Sequence, residues 1–188
     1  MPEPGKRHQR SRKPGARMPE DAVYVGRGRG PSGRWGNPFR VTGRSAVALA
    51  GQYGLDTWKA RQWAAAKLYA HWIAGALDSL PTQVAAMALA ELKAEGRPRP
   101  PTLDEIRREL TWTFDRGRDV VCWCQTFADC HGDILRAVAI GRDPVAAAGT
   151  SPHWADNFRC VEAQREAKRG EIRENIGRRS YVKGWTAW

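Results

Sequence analysis

No apolar run in this 188-residue sequence approaches the roughly 18 residues that cross a bilayer. The first twenty residues are basic and proline-bearing and lack the apolar stretch of a secretory signal. These absences argue against a membrane or exported protein and set a cytoplasmic location, with no membrane partner, as the expectation. Cysteine is also scarce. The four residues stand at 122, 124, 130 and 160, and three of them fall within nine positions. Neighbours so close make a poor framework for stapling distant segments, which favours metal or thiol chemistry over structural disulfides. Lysine supplies only 7 of the 31 basic residues, and the other 24 are arginine. From Gly26 to Arg44 there is no acidic residue at all, while five arginines (Arg27, Arg29, Arg34, Arg40, Arg44) stand in that stretch.

What is present supports one packed domain with tails. Hydrophobic residues make up 41% of the chain and tryptophan occurs nine times, enough for a core. The formal net charge is +11. Residues 1–20 and 157–188 each carry +4 of it, so two tails and the arginine-bearing loop hold the positive potential. Such segments attract phosphate, which makes a nucleotide or nucleic acid the expected partner; simple solubilisation by basic tails is the alternative.

The pattern predicts a small α/β domain over residues 21–145: a few-stranded sheet flanked by helices, Rossmann-like, between a disordered basic tail over 1–20 and a partly helical basic extension over 146–188. Ala22–Val25 reads as the first strand. A glycine-rich loop follows, and a main core helix begins after a cap at Asp56. Further helices are expected over Thr82–Glu95 and Leu103–Trp112. Asp119–Cys124 alternates with period two and reads as a buried strand leading into a helix that carries Ile134, Leu135 and Val138.

Two segments bear chemistry. In a strand, Cys122 and Cys124 share one face and Trp123 takes the other. Cys130 and His131 follow where a helix opens, with Asp129 as a possible cap. A helix N-terminus lowers a thiol pKa and binds anions, so Cys130 is the expected thiolate, His131 a proton shuttle, and Asp133 its orienter or a separate base. Alternatively Cys122, Cys124, Cys130 and His131 form a Cys₃His zinc set. Plain packing of small buried residues is the third reading. In the second segment Gly26, Arg27, Arg34, Trp35, Gly36 and Asn37 offer a close backbone approach and guanidinium forks for a phosphate or base. It matches neither the dinucleotide fingerprint nor the P-loop, because Gly30-Pro31-Ser32-Gly33 forbids a helix there and Gly-Lys-Ser/Thr is missing. Trp35-Gly36-Asn37-Pro38-Phe39 also reads as a structural turn anchored in the core.

Taken in order, Gly26, Arg27 and Arg34 to Phe39, then Cys122 to Cys124, then Cys130, His131, Asp133 and Leu135, this chain resembles the bacterial and phage family known as domain of unknown function 4326 over roughly residues 22–140. It departs from the family pattern around Thr126, where proline is common, and in a longer connection over 82–118. The resemblance implies that the two motifs line one site and brings no reaction with it. Its phage setting implies a nucleotide or nucleic-acid role by association, and a host cytoplasm as the location.

Overall fold

A computed structural model describes residues 4–28, 33–97, 99–113, 116–125 and 128–149. Residues 1–150 form one compact unit. The C-terminal extension, with His153, Cys160, Trp185 and Trp188, lies outside the described residues, as does Arg29 in the glycine-rich loop. Among the described residues no helix is long and apolar enough to cross a membrane.

The fold is α/β, with a three-stranded parallel sheet and six α-helices among the described residues. The sheet order is β1 (Arg7–Gln9), β5 (Val120–Cys122), β2 (Val23–Tyr24), so β5 is central. Its three residues are all buried, as a strand covered on both faces requires. The edge strand β1 lies within the segment 1–20 that composition reads as a tail. Arg7, His8 and Gln9 pair with Val120, Val121 and Cys122, because their main-chain groups complete the otherwise unpaired side of β5. A basic, proline-flanked composition gives no local sign of such pairing.

Helix α2 (Trp58–Ile73) is the core helix, with Ala60, Ala64, Leu68, Tyr69 and Trp72 among its buried residues. Its cap is Thr57, whose hydroxyl accepts the Ala60 N–H at 3.2 Å, and not Asp56, which pairs with Arg61. Against it packs α1 (Arg44–Gln52), which the sequence reading missed. The missing signal is a side-chain cap: Gly43 offers none, and Glu91 of α3 (Thr82–Ala94) instead takes the Ser45 N–H at 3.0 Å and the Ser45 hydroxyl at 2.6 Å. Gly96, at φ +66, turns the chain out of α3. A capping box of Thr102 and Glu105 opens α4 (Leu103–Leu110). That helix ends two residues earlier than expected, because Thr111–Thr113 forms β3 and pairs antiparallel with β4 (Arg116–Gly117). Helices α5 (His131–Ala139) and α6 (Pro144–Gly149) complete the unit.

Candidate metal centre

All three strands of the sheet end at one place. Cys122 ends β5, and Trp123 and Cys124 follow it; beyond β2 come Val25, Gly26 and Arg27; beyond β1 comes Arg10, whose N–H donates to the Cys122 carbonyl at 2.7 Å. The carboxyl ends of parallel strands are where open α/β sheets hold their ligands. Here they frame a cleft of about 200 Å³ lined by Gly26, Arg27, Asn37 and Phe39 from the first motif and by Cys122, Trp123, Cys124, Cys130 and His131 from the second. Two segments about ninety residues apart in sequence therefore form one site.

At its base the Cys122, Cys124 and Cys130 sulfurs lie within 4.8 Å of one another. Cys122 and Cys124 share a face as their spacing predicts, with the sulfurs 3.6 Å apart. Cys130 is the N-cap of α5 in place of Asp129, and its sulfur accepts the Gly132 N–H at 3.3 Å. The three thiols shift one another in opposite directions. Hydrogen bonds from Cys124 and then Cys130 hold the Cys122 thiol far below its ordinary value, and the presence of that thiolate pushes Cys124 and Cys130 up.

His131 is fully enclosed. Its Nε2 lies 2.6 Å from the Val25 carbonyl, to which it donates, and its Nδ1 faces Cys130 Sγ at 3.7 Å. Desolvation lowers its pKa and keeps the ring neutral. Of the Cys₃His set expected from the sequence, the three cysteines cluster, and His131 adjoins them through Nδ1, the nitrogen left without a proton when Nε2 donates to a carbonyl. Asp133 does not orient His131; its Oδ1 takes Arg7 Nε at 2.9 Å and an Arg136 N–H at 2.8 Å.

Arg7 is the residue that sequence reasoning missed. Its side chain is only 5% exposed. Besides Asp133, its guanidinium donates to the Gln125 and Ala128 carbonyls, both at 2.9 Å, and so holds the segment joining Cys124 to Cys130. Gly132 makes room for it, since a Cβ there would meet Arg7 Cδ at 3.3 Å.

The first motif is a scaffold for the cleft wall. Asn37 donates to the Ala65 carbonyl at 2.8 Å and accepts the Phe39 N–H at 2.9 Å, closing a turn over α2. Trp35 is buried and its carbonyl accepts the Tyr69 hydroxyl at 3.0 Å. Gly36 lies so close to the other strand of the loop that a Cβ would stand 3.0 Å from both Arg27 Cα and the Gly26 carbonyl oxygen. Arg27 lines the cleft but turns its guanidinium onto the Asn37 and Phe39 carbonyls. Arg34 is not at the cleft; it stacks on Trp35 and pairs with Glu105 and Glu109 at 2.8 and 2.7 Å. Both guanidiniums thus have partners within the chain.

A family model described as Domain of unknown function (DUF4326) matches residues 8–141. The chain belongs to this family. The DUF4326 match begins inside β1, at the residue after Arg7, and ends just after α5, so it takes in both motifs and the rest of β1. No curated protein and no solved structure matches the chain significantly.

Proposed function

We propose that Cys122, Cys124 and Cys130 hold a zinc ion and that the cleft above them binds a base of a nucleotide or nucleic acid. The sulfur triangle carries the reading. Zinc–sulfur bonds of about 2.3 Å at tetrahedral angles place sulfurs about 3.8 Å apart, and Cys122 and Cys124 stand at 3.6 Å. Thiolates select zinc over the harder cations. Three protein ligands leave one coordination position, and zinc with an open position supplies an activated water or polarises a bound oxygen. Arg7, with its three partners on and around the ligand-bearing loop, supplies the outer support that such ligands need.

The cleft favours a flat ring. Phe39 and Trp123 wall it, and Gln62 and Asp129 add an amide and a carboxylate. Its volume of about 200 Å³ falls below the roughly 300–1,000 Å³ of sites that enclose a drug-sized ligand. It suits one base with the rest of the nucleotide outside. Burial of Cys122 and Cys130, each 3% exposed, favours a second reading in which the zinc only stabilises a binding module.

Elemental analysis of protein purified without a histidine tag tests the assignment. One zinc per chain is expected, with loss of stoichiometric metal in Cys122→Ser, Cys124→Ser and Cys130→Ser but not in Cys160→Ser. Protein that takes up no zinc after reduction overturns it. Unfolding on chelation would favour the stabilising module; a folded apoprotein that loses base binding would favour the open centre.

A further inference from the structure

We propose that Arg10, Arg12 and Lys13 form the phosphate track for a single-stranded nucleic acid whose base enters the cleft; the base-binding half of this statement rests on the reading given above. With Arg27 and Arg34 engaged internally, the cleft needs another source of phosphate contacts, and the structure offers one at its edge. After Gln9 the chain leaves β1 and runs past the end of β5, tied there by the Arg10 N–H on the Cys122 carbonyl. Arg10, Ser11, Arg12 and Lys13 are all exposed and, with Gln9 and Trp123, line a shallow groove of about 700 Å³. Trp123 lines both this groove and the cleft. One indole is therefore the wall between the basic surface and the cysteine centre.

The two arginines are held in place for contact with an anion. Their guanidinium carbons lie 5.2 and 5.0 Å from the Trp123 ring centroid, and Arg10 is also 5.0 Å from the Tyr24 ring. Stacking on an aromatic face fixes a guanidinium plane and leaves its N–H edges available. The Ser11 hydroxyl accepts the Lys13 N–H at 3.1 Å and shapes the bend between them. Among the described residues no carboxylate forms an ion pair with Arg10, Arg12 or Lys13, whereas Arg7, Arg34, Arg40 and Arg61 all have acidic partners. A basic groove that leads to an aromatic wall and then to a base-sized cleft has the parts of a single-strand binding surface. A duplex must first flip a base out of its stack to fill the cleft, which lowers its affinity relative to a single strand.

Fluorescence anisotropy with a short fluorescein-labelled oligothymidylate, titrated at several salt concentrations, tests this on the full chain. Each phosphate contact to a single strand contributes about 0.7 to the slope of log affinity against log salt. The Arg10→Gln/Arg12→Gln double variant, whose changed side chains are exposed, should lower that slope by about 1.4 and weaken binding roughly tenfold or more at low salt. An unchanged slope, no binding by the unaltered protein, or equal affinity for a duplex of the same length overturns the proposal. Zinc measured on the same samples separates the two readings. A lost slope with zinc retained supports the track beside an intact centre, and a lost slope in protein that never held zinc supports the track while the metal assignment fails.

Discussion

A guanidinium presents five N–H donors in one plane, and several arginines of this chain aim that fork at loop carbonyls. Arg7 takes those of Gln125 and Ala128, Arg27 those of Asn37 and Phe39, and Arg97 those of Gly33, Arg34 and Gly36. A lysine cannot bridge carbonyls in this planar way. The preference for arginine in the sequence thus has a structural use in the two loops that make the site. The sequence identified the cysteines correctly as a group, since their strand spacing and helix-capping position are local properties. It could not identify Arg7, whose partners lie more than a hundred residues away. Replacing Arg7 by Met should cost on the order of 2–4 kcal/mol in denaturant unfolding, because Asp133 and two carbonyls lose a charged donor in a largely buried place. It should also weaken zinc binding about 10- to 100-fold, as loss of an outer-shell support does. Stability and zinc affinity both unchanged would show that the clamp does not hold the ligand loop.

Among the elements, β1 matters most to this account because it carries Arg7 in and delivers Arg10 to Trp123. Its anchor is Asp119, which accepts the Lys6 N–H at 2.8 Å and contacts His8 Nε2 at 2.8 Å. Partial burial pushes the Asp119 carboxyl up, but the hydrogen bonds from His8 and Lys6 outweigh it and hold the pKa below the ordinary 3.8. A carboxylate with its pKa depressed by folding stabilises the folded form above the ordinary value and loses that contribution as pH falls through the folded value. The docking of β1 should therefore weaken below about pH 4. Amide protection at Val120 and Arg10, whose N–H groups bond Lys6 and Cys122 across this strand pair, should fall in that range. Asp119→Asn should weaken the same protection at neutral pH and remove its acid dependence. Protection that is flat from pH 7 to pH 3 in the unaltered protein would show that Asp119 does not anchor the strand. Helices with their own signals, such as α3 and the capping-box helix α4, were legible in the sequence; β1 and α1 were not, because each is completed by a partner distant in the chain.

At the scale of the molecule, a small parallel sheet aims three strand ends at one point, and both motifs meet there. Their convergence was legible from the family resemblance, and the α/β class from the strand-to-helix pattern. The division of labour between them was not. Carbonyl partners and burial decide it: they place the turn of Trp35 to Phe39 in a wall, while the three cysteine sulfurs gather at the base of the cleft. X-ray absorption at the zinc edge of the metal-loaded protein tests this most directly. Three sulfurs at about 2.3 Å and one oxygen or nitrogen neighbour without the outer-shell pattern of an imidazole are expected. An imidazole pattern, or a fourth sulfur, for which Cys160 is the remaining cysteine in the chain, would contradict a three-cysteine centre open to the cleft.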